Sequence, residues 1–403
     1  MRSRRLAVAV LGSMICIACQ EPPAAGDAGS AARAGASANP ATTTSTAPVD
    51  LAKAAGEARE KLERWVKDGA ADPQNGWAMA HGLIGFGPDL AARDGRKAVD
   101  VIVSDFAQVE TTGGGKRVHF PRRSKAGVVL ESHQNLMIAK MLEAQVPLDR
   151  KVEVKGLGAV TLGRLVDDAY AQLTIPATDA AWQDFAWTLR AMLMAYSADA
   201  PATGAKASAR QKRLVEASLS ALAHLEQEQS FIGVLMDAGQ PERLEKRKQG
   251  IYAHTCGGLH FIEAGLRAAA FLGTPEAKAR AKRQIDVLVF RWRAEREIYR
   301  RSIAQAPQYK LILLVQELKF YGHTLEALAL ARELGLTDRS PDEILRAGRV
   351  AADLIRVITV LSDAYAKLDQ VRAEREQTYL DLIGDGCHAI HGLRESVVAF
   401  FRP

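Results

Sequence analysis

Cysteine is scarce in this 403-residue chain, with four copies, and aromatic residues make up only 6%. Too few cysteines remain for a dense disulfide framework to replace a hydrophobic core. The longest apolar run, Leu6 to Ala18, falls short of the roughly 20 residues that a membrane-spanning helix needs. Charge of one sign is also limited: 53 Lys and Arg against 47 Asp and Glu give +6. That surplus is too mild to imply nucleic acid, and the basic clusters at 116–123 and 243–248 read as solvated faces. No repeat of about 34 to 47 residues recurs, which excludes a solenoid. Strand-like alternation is confined to 117–130 and 151–161, so sheet cannot dominate.

What is present begins with a secretory signal: Arg2, Arg4 and Arg5 precede the apolar run. Its end, Ile17-Ala18-Cys19-Gln20, resembles the bacterial lipobox, with Cys16 where that motif usually has Leu. The resemblance implies that residues 1–18 are removed and that Cys19 is lipidated. Gln20 and Glu21 in place of an Asp after the cysteine resemble an outer-membrane address in a double-membrane bacterium. Residues 19–49 are dominated by Ala, Gly, Ser, Thr and Pro. They bury too little apolar surface to offset the entropy of ordering and read as a disordered tether. The expected organisation is signal peptide 1–18, lipidated Cys19 with tether to 49, and one folded domain over 50–403. Three of the positive charges leave with the signal, so the mature chain is near +3. The expected location is the cell envelope, anchored to membrane lipid and facing the periplasm or exterior.

Helical periodicity dominates the folded region. Apolar residues recur at helical spacing over 51–66, 78–86, 99–106, 136–144, 162–173 and 180–196. They do so again over 214–225, 230–236, 259–272, 277–299, 311–334, 344–368 and 387–400, with breakers such as Pro147, Pro201 and Gly273 between. The prediction is an all-α fold, an α/α toroid of about six helix hairpins with small β-hairpin insertions. Uncommon polar residues are expected at helix starts: Trp77 and His81, Glu131 and His133, His254 and His260, His323 and Glu326, Cys387 and His391. In a toroid these would converge on one rim.

The phrases Trp77-Ala-Met-Ala-His81-Gly82, Glu131-Ser-His133-Gln134, Trp187-Thr188, Cys256-Gly-Gly-Leu-His260 and Tyr321-Gly-His323-Thr-Leu-Glu326 resemble a family of exported helical-toroid proteins from environmental bacteria. That family has no established activity to carry over. The phrase from Gly322 to Glu326 is similar to the Gly-His-x-x-Glu of acylglucosamine epimerase-like enzymes. The pair Cys387-His388 is similar to the zinc-binding Cys-His of lanthionine synthetase cyclases.

Two groups could support chemistry. Cys256 with His260 and Cys387 with His391 are each four residues apart, a spacing that puts both side chains on one helix face. Meeting, they would form a Cys₂His₂ set suited to zinc, with His254 or His388 as alternative ligands. A Cys256–Cys387 disulfide closing about 130 residues, or two separate buried thiols, are the other arrangements open to these cysteines. Glu131 and His133, joined by His81, His323 and Glu326, suit proton transfer. Trp77 and Trp187 would stack on a sugar ring, with Gln134 beside them. His119 and His224 read as surface residues, and Asp167, Asp168 and Asp184 as solvated acids. Three functions follow: a carbohydrate-active or envelope-glycan-binding protein, a non-catalytic structural or adaptor lipoprotein, and a zinc-dependent enzyme. The sequence specifies no oligomeric state.

Overall fold

The computed structural model describes residues 48–402 except 114, 125–126 and 199–204. The expected signal peptide, the expected lipidation site Cys19 and the expected tether up to residue 47 lie outside the described residues. The first helix, α1 (Pro48–Ala70), takes in the last two residues expected of the tether. Leu51, Ala55, Ala58, Leu62 and Val66 recur along it every three or four residues, and all are buried.

Burial pattern separates two kinds of helix. In α2 (Gly76–Phe86), α4 (Leu136–Glu143), α8 (Leu259–Leu272) and α10 (Lys310–Glu333), buried residues run all round the helix, as an element enclosed on every side requires. With α6 (Trp182–Ala198) and α14 (Glu376–Ser396) they form an inner set. Within it α2 packs on α4, α4 on α6, α6 on α8, α8 on α10, α10 on α14 and α14 on α2, so the adjacencies return to their start. Outside lie α1, α3 (Ala98–Val101, continuing as a π turn to Phe106), α5 (Leu162–Tyr170), α7 (Ala205–Asp237), α9 (Pro275–Gln305) and α11 (Pro341–Val360). The short α12 (Ser362–Tyr365) and α13 (Leu368–Glu374) lead into α14. Among the described residues no helix is long and apolar enough to cross a membrane.

The fold is all-α with two small two-stranded sheets. In one, β3 (Lys151–Val154) pairs antiparallel with β4 (Gly158–Thr161), as the alternation predicts, around Gly156 at φ 84°. The other hairpin begins earlier than expected. There β1 (Gln108–Thr112) pairs with β2 (Gly115–His119), while the expected 117–130 pairing is reduced to one bridge, Arg123 with Val129. Gly115, at φ 113°, opens β2 opposite Thr112. Two helical segments expected over 214–236 are one continuous helix, α7, and the stretch 344–368 is broken into α11, α12 and the start of α13.

Two glycines set the approach of α10 to α14. A Cβ on Gly322 would lie 3.2 Å from the Ala389 nitrogen, and one on Gly392 would lie 2.8 Å from the Gly322 carbonyl oxygen. Their absence lets Glu326 reach the histidines of α14.

Candidate functional site

A cavity of about 1360 Å³ opens where the C-terminal halves of all six inner helices gather, from Leu83 on α2 to Glu395 on α14. Helix C-termini present partial negative charge. Arg332 and Arg394, in the last turns of α10 and α14, complement it at the cavity wall, joined by Arg267 of α8.

At the floor, Arg190 is 1% exposed and forms salt bridges with Glu143 and, at 3.0 Å, with Glu263. Lys140, fully buried, lies 3.4 Å from Glu143 and 2.9 Å from His388 Nε2. Burial works to raise the Glu143 pKa, but Arg190 and Lys140 outweigh it and hold the carboxyl well below its usual range. Glu326 is the hub of the next layer. His388 Nδ1–H donates to both its oxygens at 2.8 and 2.9 Å, and His391 Nδ1–H donates at 2.9 Å. Burial raises Glu326 to about 7 and lowers His391 below its ordinary value. It also lowers His388 well below, reinforced by His323 and Lys140. Glu143, Glu326 and His391 all border the cavity and place ligand atoms within 4.8 Å of one another.

Deeper in, Cys256, His260 and His323 gather with the same mutual reach of 4.8 Å. Burial pushes the Cys256 thiol up to about 12 and lowers His323 to about 4. His81 lies beside the Glu326 layer, its ring 5.4 Å from that of His388, but its Nδ1–H is spent on the Trp77 carbonyl at 2.8 Å. Burial, with Lys140 adding to it, lowers His81 to about 3, so it is neutral.

The opposite end of α4 holds the remaining predicted residues, and Glu131 and His133 are not partners there. Glu131 accepts the Asn135 and Met137 backbone N–H groups, both at 3.1 Å, and caps α4. His133 instead meets Thr255 Oγ1 at 2.8 Å and Asp184 at 3.7 Å. Burial works to raise Asp184, yet His133, the Gln134 N–H and Arg122 hold it at about 2. Glu131 and Gln134 border a second cavity of about 290 Å³, together with His119. Burial raises Glu131 to about 8 against an unfolded value near 4.5. The folded state therefore binds the extra proton, and stability falls as pH rises from about 4.5 through about 8. Replacing Glu131 by Gln is expected to flatten that slope in denaturation midpoints measured across this window.

Several expectations are corrected. His323 and Glu326 lie in the middle of α10, and Cys387 and His391 in the middle of α14, so these residues do not mark helix starts. Of the arrangements open to the two cysteines, the disulfide is absent: Cys256 and Cys387 are both free thiols. Cys387 packs against α2, where a Cβ on Gly85 would lie 3.3 Å from its own. His388 and His391, three residues apart, face α10 instead, so the expected Cys₂His₂ set does not assemble. Trp77 wedges over Gly384 and tilts against His81 at 3.9 Å. Trp187 stands between His260 at 4.3 Å and His133 at 5.9 Å. Neither tryptophan borders the large cavity. His224 is buried, stacked on Trp182 at 4.0 Å, and gathers with Glu228 and His254. Asp168 is likewise buried, accepting the Val118 N–H at 2.9 Å.

Sequence reasoning missed Lys140, Glu143, Arg190 and Glu263. A signal was there: each charge interrupts an apolar stretch, as in Leu136-Met-Ile-Ala-Lys140-Met-Leu and Phe261-Ile-Glu263-Ala. A charge in a helix buried all round must find a partner inside. Searched against family models, curated proteins and solved structures, the chain matches none.

Proposed function

We propose that the chain is an exported lipoprotein, anchored through Cys19, that binds or acts on a carbohydrate of the cell envelope in the large cavity. In this reading the closed cycle of inner helices and their outer partners is an α/α toroid, and the cavity is its funnel. The observation behind the ligand class is the lining: carboxylates such as Glu143, Glu263 and Glu395 are matched by Arg190, Arg267 and Arg394 in near-equal number. Sugar hydroxyls both donate and accept, so a balanced wall of donors and acceptors suits them. An anionic ligand would call for a surplus of cations, and an apolar one would take water from these charged groups without replacing its hydrogen bonds. Aliphatic side chains, among them Leu83, Met194 and Val398, supply the apolar contacts once expected of Trp77 and Trp187. The adaptor alternative calls for a filled apolar centre, whereas Lys140, Glu143, Arg190 and Glu263 occupy this one.

Ligand-observed NMR with envelope oligosaccharides tests the reading. Val398 borders the cavity and is 60% exposed, so Val398→Trp obstructs the space without disturbing the core. Binding by the wild type and its loss in Val398→Trp are expected. Silence across neutral and charged glycans, or equal binding by the variant, would refute it. Cys19→Ser is expected to release the protein from the membrane fraction.

A further inference from the structure

The geometry points to a mononuclear zinc site formed by Cys256, His260 and His323, independent of what the large cavity binds. A thiol and two imidazoles within 4.8 Å of one another are the borderline-soft donors zinc prefers, and three protein ligands leave a fourth position for water. This is a different set from the one the sequence suggested, with His323 in place of Cys387 and His391.

Three further features converge on it. His323 is fully buried, and its Nε2 makes no hydrogen bond. Its Nδ1 lies 2.9 Å from Glu326 Oε2, three residues on along the same helix, which leaves Nε2 as the atom without a partner. Buried polar atoms are rarely left this way, and a metal ion would satisfy the ring. Next, Cys256 sits at φ 54° and ψ 26°, followed by Gly257 at φ 60° and Gly258 at φ 73°. Three left-handed residues in a row make an abrupt turn, and only Cys256 among them bears a Cβ. The turn is clamped: Arg291 Nη2 donates to the Gly257 carbonyl at 3.0 Å, and Thr255 is held by His133 and Gln183. Arg291 is itself fully buried and anchored to Glu295 at 3.1 Å. Finally, Glu263 and Arg190 both approach His260 Nδ1 at 3.4 Å, and Trp187 tilts against its ring, which fixes the orientation of the imidazole. On binding, the Cys256 thiol gives its proton to solvent and the sulfur donates a lone pair to the ion, with no redox partner required.

The experiment loads the chelator-stripped full chain with cobalt(II) and, separately, with zinc. Expected are a thiolate-to-cobalt charge-transfer absorption and one equivalent of zinc per chain by elemental analysis. Cys256→Ser removes the absorption and weakens zinc by about 100-fold or more, since even outer-sphere changes cost about 10- to 100-fold. His323→Gln weakens zinc similarly, and Cys387→Ser changes neither reading. A wild-type chain without the charge-transfer band overturns the proposal, whatever the variants do. So does a band that survives Cys256→Ser. So does zinc that is retained by Cys256→Ser but lost in His224→Gln, which would place the ion at His224, Glu228 and His254.

Discussion

Replacing Arg190 by Met is expected to lower the unfolding free energy by about 3–5 kcal/mol, the usual cost of breaking a buried ion pair from one side. The guanidinium is 1% exposed and lies between Glu143 and Glu263, whose side chains are 5% and 2% exposed. Lys140 stays within 3.4 Å of Glu143 and compensates part of that charge. Glu263 keeps only His260, 3.4 Å away, so it is the group left without a compensating charge. The double variant Arg190→Met, Glu263→Gln is therefore expected to regain part of the loss, because the lone buried charge is gone. Chemical denaturation of the three proteins decides the matter. A loss below about 1 kcal/mol for Arg190→Met would mean that the pair behaves as an exposed one.

Replacing Gly392 by Val is expected to destabilise by about 3 kcal/mol, at the upper end of overpacking costs. The obstacle to a new Cβ is the Gly322 carbonyl oxygen at 2.8 Å, a backbone atom that cannot rotate away, with Glu326 atoms at 3.4 Å behind it. Relief requires α10 and α14 to separate, which also pulls His391 from Glu326. Gly392→Ala meets the same oxygen with a smaller group and gains about 1 kcal/mol of helix propensity, so its net cost is expected to be lower. Thermal unfolding of the pair gives the comparison, and a Val variant within about 0.5 kcal/mol of wild type would show that the crossing is not tight.

Helix content was legible because it rests on local periodicity. The stripe Leu51, Ala55, Ala58, Leu62, Val66 predicts α1 from spacing alone, and Lys151 to Thr161 announces its hairpin by alternation and its glycines. The site was legible only in its residue types. His260, His323, Glu326, His388 and His391 do come together, but His388 and His391 serve a carboxylate where metal ligation was expected. Helix phase decides this, since a residue's face depends on which neighbour the helix packs against.

By itself, then, the sequence determined that the chain is helical, where most helices lie, and that polar residues interrupt its apolar segments, because these depend on spacing within a few turns. Tertiary structure decided which of those residues meet. The glycine contact at Gly322 and Gly392 sets Glu326 against α14, the left-handed turn at Cys256 turns a thiol toward His260 and His323, and Cys387 is carried to the other side against Gly85. Each outcome depends on backbone approach between segments tens to hundreds of residues apart, for which local spacing has no term.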